Sequence, residues 1–191
     1  MKIGTKALLF GIHQFFWHPL TVLLAWIDLY GFPKPWELFC IFVHDVGYFG
    51  KADLDGEEGV THPELGGKIA GFFFGEKARL MCLGHSRGYA KMLGIPVSRL
   101  CWADKWAPLF DPGHFFWLRG IASGEIHEFI KTFPCDGGQS SLMWVLAFRK
   151  HVKSHAVEIW DGSKGVDNPG YNQTCIQVRR QPDYAAPFLT R

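Results

Sequence analysis

The sequence predicts an all-helical protein, and three observations point there. Proline and glycine punctuate the chain in the order helices require, with Pro at first turns and Gly past the ends. Apolar residues recur at i+3 and i+4 between those breaks. No stretch alternates apolar and polar residues over the length of a strand. The 191 residues suit one domain, 1–191, with a core of its own. A site-bearing core spans about 18–109, and a helical extension with an irregular tail fills 110–191. Hydrophobic residues make up 48% and charged residues 20%, a globular balance. The net charge of +2 gives no reason to expect a nucleic-acid-binding surface.

Residues 7–27 carry no formal charge, yet His13, Gln14, His18 and Pro19 interrupt them. A lipid-facing helix would leave those polar groups unsatisfied, so no membrane span is expected. The five cysteines form no C-x-x-C pair, and Cys40, Cys82 and Cys101 lie in apolar helical stretches. They read as small core residues in a reducing compartment, which points to the cytoplasm.

Pro19 opens a helical pattern to about Tyr30, stopped by Gly31. Pro33 and Pro35 precede a very apolar stretch, 36–46, which Gly47 and Gly50 end. A polar loop, 51–61, holds Asp53, Asp55, Glu57 and Glu58. Pro63 opens a helix that closes near Gly75, and another runs from Glu76 to about Met92. A fifth starts near Pro96 and reaches Ala107. Residues 120–133 predict a shorter helix and 140–159 a longer one, with a polar tail after Asp161.

The informative feature is where ionisable residues fall. In the fifth helix the stripe Val97, Leu100, Cys101 continues to Asp104. Ala78, Met81 and Cys82 lead in the same way to His85. His18 begins a stripe through Val22, Ala25, Trp26 and Leu29. His44 and Asp45 end a run that is apolar all round. His62 precedes Pro63 as His18 precedes Pro19, so both are expected extended, at helix starts. One histidine on an apolar face is more often a satisfied core residue than a ligand. Four histidines and two aspartates at inward positions of consecutive helices are harder to explain that way. A buried carboxylate needs a partner, and a metal ion is one. Imidazole and carboxylate ligands suit Fe, Mn, Co, Ni or Zn. His13, His114, His127, His151 and His155 lack this placement and read as structural or exposed.

The ordered set His18, His44-Asp45, His62, His85, Asp104 resembles that of the HD superfamily of metal-dependent phosphohydrolases. The stretch HDVGYFGK is similar to the family's H-D-x-G-x-K segment, with extra residues before Lys51. HPELGGKIA resembles the segment in which a histidine opens the next helix, and LCWADKWA the aspartate-bearing last helix. The resemblance implies an HD-domain bundle of five core helices. It implies that His18, His44, Asp45 and Asp104 hold a first divalent metal. His62 and His85 then hold a second, with Asp45 as bridge and catalytic centre. No G-Y-P follows the HD pair where the cyclic-di-GMP phosphodiesterases have it, which speaks against cyclic dinucleotides.

The implied reaction is hydrolysis of a small phosphorylated substrate, such as a nucleotide, by a metal-activated hydroxide. Cations would hold the phosphate, and Lys51 and Arg87 are the candidates; Lys105, about 100° round the helix from Asp104, is expected to face away. Tyr48, Tyr89, Trp102 and Trp106 lie near the ligands in sequence and read as core aromatics that could stack a base. The alternatives are a di-iron oxygenase related to myo-inositol oxygenase, on the same ligands, and a non-catalytic metal-binding protein.

Overall fold

The computed structural model describes residues 1–132 and 140–161. Among these there are ten α-helices and no strand. They are α1 (Ile3–Phe10), α2 (Trp17–Tyr30), α3 (Pro35–Val43), α4 (Pro63–Phe74) and α5 (Glu76–Leu83). Then follow α6 (Arg87–Leu93), α7 (Arg99–Trp106), α8 (Gly113–Ser123), α9 (Glu125–Thr132) and α10 (Ser141–Asp161). The tail expected after Asp161, together with Cys135 and Cys175, lies outside the described residues.

Local chemistry explains most boundaries. Pro35 begins α3, where the Lys34 N–H donates to Glu37 Oε2 at 2.7 Å and closes a capping box. Pro63 begins α4, and Gly75 ends it with φ +76, a conformation L side chains resist. The main core joins α2, α3, α4, α5 and α7 around Trp26, Ile41, Cys82 and Leu100. Cys40, Cys82 and Cys101 are buried free thiols in it, as the sequence led us to expect. A second cluster, Ile12, Phe116, Ile126, Trp144 and Val145, joins α8, α9 and α10 to the segment after α1. No helix among the described residues is long and apolar enough to cross a membrane.

Several expected elements are corrected. The pattern expected to run from Glu76 to Met92 is two helices, broken at residues 84–86. There the Gly84 carbonyl accepts the Ser98 N–H at 2.9 Å, and Ser86 caps α6 through the Tyr89 N–H. His85 therefore sits in a turn, not on a helical stripe. The fifth site-bearing helix starts at Arg99, because 94–98 is spent on that crossing. The helix expected over 120–133 is replaced by α8 and α9, split at Gly124 with φ +91. Helix α1 was not anticipated.

Neither His18 nor His62 is extended. His18 lies inside α2, its N–H donating to Gln14 O, and His62 has helical angles of φ −53 and ψ −31. A first-turn proline forfeits no helical hydrogen bond, so the residue before it is free to stay helical where its own N–H finds a carbonyl.

Two glycines bring α4 against the HD turn. A Cβ on Gly47 would stand 1.9 Å from His62 O, and one on Gly66 would stand 2.4 Å from Val43 O. Both neighbours are backbone and cannot swing aside. Gly47→Ala is expected to cost about 1–3 kcal/mol through overpacking. It should also weaken metal binding, because His62 is the group displaced. Urea unfolding and metal titration of the variant check both.

Candidate metal centre

Five helices deliver the six residues singled out in the sequence. His18 is in the first turn of α2, and His44 and Asp45 follow the end of α3. His62 stands immediately before α4, His85 follows α5, and Asp104 lies in α7. All but Asp104 are classed as buried, and His44 is fully so. Their ligand atoms form two groups, each within 4.8 Å: His18, His44, Asp45, Asp104, and Asp45, His62, His85.

Asp45 belongs to both groups through different oxygens. Its Oδ2 is 3.2 Å from His18 Nε2 and 3.2 Å from His44 Nε2. Its Oδ1 is 3.2 Å from His85 Nε2 and 3.6 Å from His62 Nε2. Asp104 Oδ1 completes the first group at 3.1 Å from His18 Nε2.

The backbone sets the tautomers. His44 Nδ1 faces Ile41 O at 2.8 Å, His62 Nδ1 faces Gly59 O at 2.7 Å, and His85 Nδ1 faces Cys82 O at 2.5 Å. A carbonyl only accepts, so each Nδ1 carries a proton and each neutral ring presents a bare Nε2 inward. Histidines that ligate metals are commonly oriented by such a bond from the other ring nitrogen. One consequence is costly without a cation. His62 Nε2 and His85 Nε2 face each other at 2.9 Å with no proton left to share in that tautomer. In the other group His18 Nε2, His44 Nε2 and Asp45 Oδ2 are buried without a hydrogen-bond partner. Unpartnered buried polar atoms cost free energy, and a bound cation would relieve them. The donor set therefore fits metal ions of the kind that imidazole and carboxylate hold.

The protonation tendencies favour the ligand form at Asp45, Asp104 and His62 and oppose it at His18 and His44. Burial opposes charge on Asp45, but His44 and the contacts from His18 and His85 hold its carboxyl well below the usual range. Burial also opposes charge on Asp104, and Lys105 and His18 outweigh it. Burial works against His18 too, yet the two aspartates raise its pKa. For His62, burial and then His85 push the pKa well down, favouring the neutral ligand form.

Other expected residues fall around this cluster. Lys51 Nζ donates to Thr61 Oγ1 at 2.7 Å, one residue before His62. Arg87 is partly buried at the first position of α6, and its charge is felt at Lys105 and Cys101. Lys105 was expected to face away. It is exposed, and its long stem still brings Nζ to 3.3 Å from Asp104 Oδ2. Tyr48 is buried and stacks on His62, ring centroids 3.9 Å apart and 12° from parallel. Tyr89 bonds Glu64 and Trp106 bonds Asp28, which makes both structural.

The sequence reading grouped His13 with structural or exposed histidines. It lies against the cluster, its ring 5.2 Å from that of His18 and 5.0 Å from that of Tyr48. Its Nδ1 is 2.5 Å from Glu125 Oε1, 112 residues away. Neither residue sits at a spacing that announces the pairing. His114 and His127 are exposed, as expected.

Comparison of the chain with protein-family models, with curated proteins and with solved structures gave no match. What stands is an all-helical protein with a cluster of His and Asp side chains positioned to hold metal.

Proposed function

We propose that this protein is an HD-type metal-dependent phosphohydrolase acting on a nucleotide or a related phosphoester. The carrying observation is the pair of ligand groups that share Asp45, one oxygen to each. Two ions held this way would supply Lewis-acid activation of water and a clamp on the phosphate oxygens.

The chain's own residues supply the rest. Lys105 lies at the rim of the first group, with Arg87 near enough for its charge to be felt there. Lys51 lies beside the segment that carries His62. A cation at the rim of an imidazole–carboxylate cluster favours an anionic substrate, and Arg87 could take two phosphate oxygens through its planar fork. That supports a phosphoester over the neutral polyol an oxygenase of this ligand type would take.

The experiment is a screen of nucleotides, cyclic nucleotides and dinucleoside polyphosphates with added divalent metals. The wild type is expected to release phosphate or nucleotide. Arg87→Ala and Lys51→Ala should each lose about 10²–10³-fold in turnover, as when one transition-state donor is removed. Metal content should be unchanged, since neither is a ligand. Full activity in both variants removes their proposed roles. No phosphoester turnover, with substrate-dependent oxygen uptake by the iron-loaded protein, moves the assignment to a di-iron oxygenase.

A further inference from the structure

Two buried charged side chains of the C-terminal layer converge on residues 11–13. Arg119 of α8, itself paired with Asp111, donates through one nitrogen to Gly11 O at 2.7 Å and Ile12 O at 3.1 Å. Glu125 of α9 is fully buried and accepts the Ile12 N–H at 2.5 Å and the Ser123 O–H at 2.6 Å through Oε2. Its other oxygen takes His13 Nδ1. Gly11 makes this approach possible, since a Cβ there would meet Glu125 Oε2 at 2.0 Å. Four buried side chains, Asp111, Arg119, Ser123 and Glu125, and a glycine thus fix the backbone and the ring of His13.

That imidazole is held against the metal cluster. Its ring touches His18 of the first ligand group directly. It reaches the second through Tyr48, which stacks on His62. The Nδ1 edge is sealed by a carboxylate with no solvent exposure, while the side chain keeps 14% of its surface open. Nε2 has no hydrogen bond among the described residues and is not among the buried unpartnered atoms, so it shares in that opening. A histidine clamped at one nitrogen and open at the other beside a ligand cluster has the form of a substrate contact.

We propose that the bare Nε2 of His13 accepts a hydrogen bond from a protonated oxygen of the phosphate bound at the cluster, with Glu125 as the residue that positions the ring and sets its tautomer. This rests on the phosphohydrolase reading. It also gives the helical extension beyond the ligand-bearing core a task, since α8 and α9 set the position of a group at the site.

The test uses zinc-loaded full-length protein and inorganic phosphate as the probe. In ¹⁵N-histidine spectra of the wild type, phosphate should shift the His13 Nε2 resonance, identified by its loss in His13→Gln. His13→Gln should keep its zinc content, and its cobalt-loaded form should keep the wild-type visible spectrum, since His13 is not a ligand. Its phosphate affinity should fall about tenfold or more, the size of one hydrogen bond to a charged group. In Glu125→Gln the Ile12 N–H can only donate, so the amide carbonyl must stay with it and the amide NH₂ must face His13. The proton should then move from Nδ1 to Nε2, visible in the same spectra with metal content unchanged. Unchanged phosphate affinity in His13→Gln, or a His13 Nε2 resonance that phosphate does not move, overturns the proposal and leaves the phosphohydrolase reading intact. A zinc-loaded wild type that binds no phosphate overturns both. Should His13→Gln fail to fold, His13→Asn identifies the resonance and the wild-type titration decides the matter.

Discussion

On the proposed function, replacing Asp45 with asparagine is expected to abolish hydrolysis and to prevent metal binding in both halves of the cluster. Asparagine keeps the shape but offers one neutral oxygen in place of two charged ones. Oδ1 and Oδ2 of Asp45 each face a different pair of histidines, so no orientation of the amide serves both. The NH₂ would also point at the bare Nε2 atoms of one pair and form hydrogen bonds where a cation belongs. The loss should exceed the about 10²–10³-fold that follows removal of one transition-state donor. Elemental analysis beside a turnover assay checks this. Asp104→Asn, which touches the first group alone, should be milder and spare the second ion. An Asp45→Asn protein with its full metal content would refute the bridging role.

Metal loading should raise thermal stability by a large margin, and chelation should reverse it. Ions that bind the folded chain alone add about 2.7 kcal/mol each at a hundredfold excess over Kd. For a chain of this size each kcal/mol moves Tm by about 2–4 °C, so two ions should give a shift on the order of 10–20 °C. The source of the gain is the relief of orphaned acceptors and of the facing His62 and His85 nitrogens. His62→Ala with His85→Ala should keep only the first group's share. The shift should shrink in acid. In the metal-free protein the aspartates raise the pKa of His18 and His44 against their burial, so protons compete with metal from above the ordinary histidine range downward. Calorimetry with and without chelator, at two pH values, measures all of this. A Tm indifferent to metal would contradict the account.

The His/Asp cluster was legible in part because some of its members break a pattern. Asp104 interrupts the apolar stripe of α7, and His44 and Asp45 cap a run with no polar face. Proline marked the start of α4 beside His62. His85 joins the cluster, but not by the route the sequence suggested. The stripe leading to it ends at Cys82, and a turn held by the Ser98 N–H carries it inward. That contact joins residues far apart in sequence and has no local signature. His13 was missed for the same physical reason. Its burial and orientation come from Glu125 and Arg119, which belong to helices more than a hundred residues further on. A histidine between Ile12 and Gln14 has nothing nearby to distinguish it. Lys105 is exposed, as its angular position implies, and its amine still reaches Asp104 because that position fixes Cβ and not the end of a long flexible stem.

The central claim is that Asp45 bridges two metal ions held by six protein ligands. Anomalous diffraction from crystals of manganese- or zinc-loaded protein tests it most directly. The account predicts two anomalous peaks per chain on either side of Asp45. One should be bounded by His18, His44 and Asp104, and the other by His62 and His85. A fully loaded crystal with a single peak, or with peaks to which Asp45 contributes no oxygen, would contradict it.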